Sequence, residues 1–261
     1  MSEHDDLTIL PVNPPKDDAP LEIRLDPRLP NVNRGKGSCI LLCAGPCSGK
    51  TVWITNALLN PNFYGGKLDE TYIFSSTIHG GDGSSAPLLK AFGKTTFSEY
   101  SDAKLQAIID YQMSFEKKER PVISIVFDDI GAWGLKQNAL CWGLSSFYRH
   151  CGVGLLIYSA QKYKQVSPLV RQCINWAFFW RQTNEKQAIA AAEELGLRFK
   201  GPDGFLKLLE TATKENRHHF LTLDLMGNPA IARRNFEDPP IFVGERDGVP
   251  QTRAARGYEP V

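Results

Sequence analysis

A lysine and a threonine stand side by side at Lys50 and Thr51, closing the segment AGPCSGKT (44–51). Directly before it runs the apolar stretch SCILLC, Ser38–Cys43. The spacing A/G-x-x-x-x-G-K-S/T has a mechanical reason. A buried strand enters a tight loop, the loop turns its backbone N–H groups inward, and a helix begins at its end. Gly45, Pro46, Cys47, Ser48 and Gly49, with Val52 in the first helical turn, are therefore the expected lining of a phosphate site for ATP. Lys50 is placed to reach the β and γ oxygens, and the Thr51 hydroxyl to ligate Mg2+. Gly49 lets the backbone approach phosphate with no Cβ in the way. An ordinary glycine turn before a helix leaves Lys50 and Thr51 unexplained.

A second group of chemical residues follows the apolar run VISIVF (122–127), which ends in Asp128 and Asp129. Carboxylates at the end of a buried strand lie at the crevice rim of an α/β sheet. Asp128 is assigned to the metal and Asp129 to the attacking water. Two exposed turn aspartates are the plainer alternative, but VISIVF is a poor lead-in to a surface turn. Gln161 ends the later run GVGLLIYS (152–159) plus Ala160. It is either a γ-phosphate sensor or a surface glutamine. Phosphoryl transfer also gains from a cation delivered to the developing charge, often by a neighbouring subunit. Arg149 is the first candidate and Arg171 the second; either is equally able to pair with a surface carboxylate. Lys162, Tyr163 and Lys164 form a basic loop with an aromatic, able to touch a DNA backbone or simply solvated. His218 and His219 have no matching ligand set, so no metal site is assigned there.

These residues need a scaffold, and the pattern supplies one. Strands are expected at Ser38–Cys43, 70–76, 122–127, 152–159 and 175–181, the last reading NWAFFWR. Helices are expected over Lys50–Leu59, 101–118, 136–150 and Glu185–Leu195, the last closed by Gly196. Leu105, Ile108, Ile109 and Met113 share one helical face and are expected in the core. Residues 77–87 (TIHGGDGSSAP) are expected to be a long mobile loop, and 219–225 with 230–234 a hairpin about Met226–Pro229. Strands alternating with helices indicate an α/β fold with a mainly parallel central sheet, plus a C-terminal β-hairpin.

The chain has 261 residues, 42% hydrophobic, with a formal charge of +1. That length suits one large domain with a substantial core. Near-neutral charge argues against broad nucleic-acid coating, so any DNA contact must be local. There is no run of about 18 apolar residues, so no membrane span is expected. The acidic, proline-rich start is not a signal peptide. Of the six cysteines, none forms C-x-x-C. Cys39, Cys43 and Cys47 recur at regular spacing, yet the first two lie in a buried strand, where cysteine acts as a small hydrophobe. The chain reads as intracellular with reduced thiols. Residues 1–20 are expected to be a flexible arm, 21–37 to wrap the edge of a domain spanning 21–236, and 237–261 to be a flexible tail.

The order AGPCSGKT, YIFSS, IVFDDI, YRHCGVGLLIYSAQ and PLVRQCINWAFFWR resembles the FtsK/HerA-type pumping ATPases. Within that group it is most similar to viral genome-packaging ATPases, including the poxvirus type. The resemblance covers about 38–235. It implies a RecA-like P-loop core, a homo-oligomeric ring (hexamer or pentamer) and ATP-driven translocation of double-stranded DNA. For a viral member it implies filling a preformed capsid, with portal or vertex proteins as partners, at an assembly site in the host cytoplasm. R-H-x-G-V at Arg149–Val153 resembles FtsK in particular, where the arginine acts in trans. Ala44 and Cys47 depart from the pattern without removing a catalytic group. A cellular or plasmid DNA pump, a P-loop kinase and a non-catalytic ATP-binding assembly protein are the other readings. The kinase lacks its arginine-rich lid here, and the last is disfavoured by Lys50, Thr51, Asp128 and Asp129.

Overall fold

The computed structural model describes residues 23–80, 83–182 and 184–243. Eight strands among them form one sheet in the order β3-β2-β4-β5-β1-β6-β7-β8. In chain order the elements are β1 (Ser38–Cys43), α1 (Lys50–Leu59), β2 (Glu70–Ser75), α2 (Ala86–Phe92), β3 (Thr96–Phe97), α3 (Asp102–Met113) and β4 (Ile123–Asp128). Then come α4 (Leu140–Phe147), β5 (Val153–Ala160), α5 (Pro168–Cys173), β6 (Trp176–Trp180), α6 (Glu185–Leu195), α7 (Pro202–Thr213), β7 (Phe220–Asp224) and β8 (Ile231–Arg234). β3 through β6 run parallel, and β7 and β8 add an antiparallel edge.

The central strands are apolar along their whole length because both faces are covered. Alternate side chains of β1 serve opposite layers. Cys39, Leu41 and Cys43 join one core with Phe127 and Tyr158, while Ile40, Leu42 and Ala44 join the other with Trp53 and Phe178. α1 covers the second layer with Trp53, Ile54, Ala57 and Leu58. α3, α4, α6 and α7 cover the first.

Segment 23–37 crosses the amino ends of the strands, as expected of a wrap. Val32 is fully buried there. A Cβ on Gly154 would stand 2.4 Å from the Val32 carbonyl oxygen, so β5 needs glycine at the crossing.

Several expectations change. α3 ends at Met113, and Met113 is 51% exposed while Gln112 is buried in its place. The helix expected over 136–150 shortens to α4, followed by a 3-10 turn at Tyr148–Cys151. The 77–87 loop instead contains a 3-10 turn at Ile78–Gly80 and the start of α2. Gly196 caps α6 as expected, with φ −60°, and also opens a 3-10 turn. α7 was not anticipated; it packs Phe205, Leu208, Leu209 and Ala212 inward. Beyond Phe236 the chain stays packed for several residues, with Ile241 bridging Ala232. The arm 1–20 and the rest of the tail lie outside the described residues.

Candidate nucleotide site at the carboxyl ends of the strands

Parallel register brings the motif residues to one rim. Cys43 pairs with Ala160 between β1 and β5, Phe127 with Tyr158 between β4 and β5, and Ser75 with Asp128 between β2 and β4. The Ala44 N–H continues the ladder to the Ala160 carbonyl at 3.1 Å. The chain then turns through 44–49, with Cys47 at φ 56° and Gly49 at φ 104°, and enters α1 at Lys50. Gly49 is the residue type such a backbone favours. Cys47 holds a left-handed conformation that L side chains seldom adopt. Its side chain is exposed.

The Lys50 ammonium folds back over this loop. It donates to the carbonyls of Ala44 at 2.6 Å and Gly45 at 3.1 Å. Burial holds its pKa below the usual lysine value, while the charges of Asp128 and Asp129 oppose that shift. The lysine is thus within the field of both carboxylates.

Asp128 is buried at the end of β4. Burial pushes its carboxyl above the usual range, and the Ser159 and Ser75 hydroxyls pull it back. Ser75 Oγ donates to Asp128 Oδ2 at 2.9 Å. Asp128 and Thr51 line a shared cavity of about 140 Å³ with Thr77 and Ser85. A carboxylate and several hydroxyls form a hard oxygen donor set that fits Mg2+, which binds through few protein ligands and keeps waters. Thr51 and Asp128 could hold such an ion.

Asp129 sits at φ 50°, outside the region an aspartate normally occupies. Strain of this kind persists only where surrounding structure fixes it. Gln161 supplies part of that fixing: its Nε2 lies 3.1 and 3.2 Å from the two carboxylate oxygens of Asp129. The loops beyond these residues also touch. A Cβ on Gly131 would collide with the Gln165 side chain at 2.4 Å.

Lys50, Thr51, Asp128, Asp129 and Gln161 are therefore brought together, and the two arginines are not. Arg149 is exposed in the turn before β5. It lines a cavity of about 720 Å³ with Gly37, Ser38 and Trp176, at the amino ends of the strands. Its guanidinium lies 5.4 Å from the Tyr148 ring centre, and the Tyr148 hydroxyl donates to the Gly37 carbonyl at 2.7 Å. Arg171 is committed within its own chain, 2.6 Å from Glu194 and over the Tyr163 ring at 5.2 Å. Tyr163 is buried and donates to Glu194, so it is unavailable for stacking on a base. Lys164 also pairs with Glu194, whereas Lys162 is exposed.

Sequence reasoning missed Ser75, although a polar residue ending an apolar strand was the same signal that marked Asp128. It also missed Gln182, whose amide donates to the Cys43 carbonyl at 3.2 Å. His218 was noticed without a role; its Nδ1 lies 3.4 Å from the Ser48 carbonyl oxygen.

No protein-family model matches the chain, and no curated protein matches it in sequence. Solved structures do. The genome packaging NTPase B204 from Sulfolobus turreted icosahedral virus 2, in complex with AMP, is similar at 16% identity and TM-score 0.54, over 76% of this chain and 96% of that one. B204, the DNA-packaging ATPase from Sulfolobus turreted icosahedral virus, is similar at 15% identity and TM-score 0.54, over 75% of this chain and 95% of that one. The cytoplasmic domain of the Thermomonospora curvata type VII secretion ATPase EccC is similar at 13% identity and TM-score 0.50, over 77% of this chain and 26% of that one. The fold of this chain is similar to that of these packaging and secretion ATPases.

Proposed function

We propose that the chain is an ATP-hydrolysing motor that moves double-stranded DNA, with viral genome packaging as its task. The observation that carries this reading is the convergence of Lys50, Thr51, Asp128, Asp129 and Gln161 on one rim of the sheet. The likeness in fold to B204 supports the choice of task.

The loop N–H groups and Lys50 bind and orient the triphosphate. Thr51 and Asp128 would hold Mg2+, which would supply neutralisation of phosphate charge there. Asp129 orients a water for in-line attack on the γ phosphorus; the β–γ bridging bond breaks, ADP leaves with the electron pair, and the water's proton passes to the carboxylate or solvent. Gln161 holds Asp129 in place, and a γ-phosphate nearby competes for its amide. The state of the nucleotide would thereby pass to 162–166, where Lys162, which is exposed, would meet the DNA backbone.

Arg149 lies at the opposite end of the strands from its own chain's site. A head-to-tail ring brings one subunit's amino-end face against the next subunit's carboxyl-end rim, and each site then receives Arg149 from a neighbour. Among the described residues no helix is long and apolar enough to cross a membrane.

The test is ATP turnover by the purified chain with and without linear double-stranded DNA, beside Lys50→Ala. Turnover that rises with DNA and vanishes in the variant is the expected result. Turnover indifferent to DNA, or phosphate transfer to a small acceptor, would overturn the motor reading.

A further inference from the structure

The start of β7 lies beside the end of β6, since Phe220 pairs with Trp180. That register brings His218, in the connection between α7 and β7, beside the phosphate loop. A tight turn fixes it: the His218 N–H donates to Asn216 Oδ1 at 2.9 Å, and the His219 N–H to the Asn216 carbonyl at 3.0 Å. Arg217 Nε then donates to His218 Nε2 at 3.1 Å. A guanidinium has no acceptor, so Nε2 must be the accepting nitrogen and the neutral ring carries its proton on Nδ1. That N–H faces the Ser48 carbonyl, 3.4 Å away.

The peptide joining Ser48 to Gly49 is the one contacted. In a trans peptide the C=O and N–H point in opposite directions. A carbonyl held outward by the imidazole leaves the Gly49 N–H turned into the concave side of the loop. The imidazole packs directly over Gly49: a Cβ there would be in ordinary contact with His218 Nδ1 at 3.6 Å and Trp180 Nε1 at 3.8 Å.

We propose that His218, with its tautomer set by Arg217, is a positioning residue that braces the phosphate loop from outside and aims the Gly49 N–H at the bound phosphate. This rests on the nucleotide-binding reading above. The brace comes from the antiparallel edge of the sheet, so the C-terminal segment contributes to a site whose reacting groups all lie earlier in the chain. The contact is at the long end for an N–H···O bond and His218 is exposed, so its share of affinity is modest.

The experiment is calorimetric titration of ADP into the full chain and into His218→Ala, His218→Asn and Arg217→Ala, with thermal unfolding of each nucleotide-free protein. His218→Ala is expected to weaken ADP binding about fivefold. Its melting temperature should stay unchanged, and KM for ATP should rise while kcat holds. His218→Asn carries an amide N–H where Nδ1 stood and should recover most of the affinity. Arg217→Ala should fall between the two. ADP affinity unaltered in His218→Ala, or equal losses in the alanine and asparagine variants, would overturn the brace while leaving the nucleotide site intact. A wild-type chain that binds no ADP would overturn both.

Discussion

Gln161 offers the sharpest test of how the rim is coupled. Its amide meets both oxygens of Asp129, at 3.1 and 3.2 Å. Hydrogen bonds to a charged acceptor contribute about 1.5–3 kcal/mol. These are longer than the roughly 2.7–2.9 Å typical of charge-assisted bonds, so the lower figure applies. About 1.4 kcal/mol is a factor of ten, so Gln161→Leu should lower kcat about tenfold. The effect on KM for ATP should be smaller than that on kcat, because in the structure the amide bonds Asp129 rather than the loop or the metal ligands. Gln161→Glu puts a second carboxylate against Asp129 and should lower kcat further. The assay is steady-state phosphate release at saturating ATP and DNA. Full kcat in Gln161→Leu, or a loss appearing in KM alone, would refute the argument that Gln161 acts by holding Asp129.

Three further outcomes are expected. Asp128→Asn should abolish turnover yet stabilise the fold: the folded carboxyl is raised above its ordinary value, so its charged form disfavours folding once pH exceeds that folded value. The gain should be roughly 0.5–2 kcal/mol at pH 7.5, read as a few degrees in the melting curve, and should fade as pH falls toward about 4. Arg149→Ala should also lack turnover, and mixing it with Lys50→Ala protein should restore part of it; inert mixtures would count against a trans arginine at that position. Gly154→Ala should cost about 1–3 kcal/mol from its clash with the Val32 carbonyl, lowering the melting temperature without altering KM in the protein that remains folded.

The site was legible where chemistry and a buried strand coincide. Lys50, Thr51, Asp128, Asp129 and Gln161 each stand just past an apolar run, and the runs were visible. What linear spacing could not show is that β5 lies between β1 and β4, which is why Gln161 and not another strand-end residue reaches Asp129. Arg171 stands second to Arg149 on sequence, and only packing shows Glu194 beside it. α1 and α6 match their expected spans because their starts and ends have local causes, Asn184 capping α6 through the Lys186 N–H among them. α7 carried a readable signal, Pro202 at its start and Phe205, Leu208, Leu209 and Ala212 at helical spacing. β3 carried none, since two residues become a strand only by pairing with β2.

β1 pairs with β5 on one side and β6 on the other, and Gln182 beyond β6 ties back to the Cys43 carbonyl. During synthesis the chain therefore presents Lys50 and Thr51 long before the strands that hold their loop exist. Contacts this distant in sequence form late. A nascent chain that has emerged only through Asp129 has its lysine and both aspartates but no cradle, and should not retain nucleotide. On the proposed function, nucleotide binds the folded chain and not the unfolded one, so ATP would draw the folding equilibrium forward by mass action. Nucleotide would then act on this protein as a folding partner before it acted as fuel.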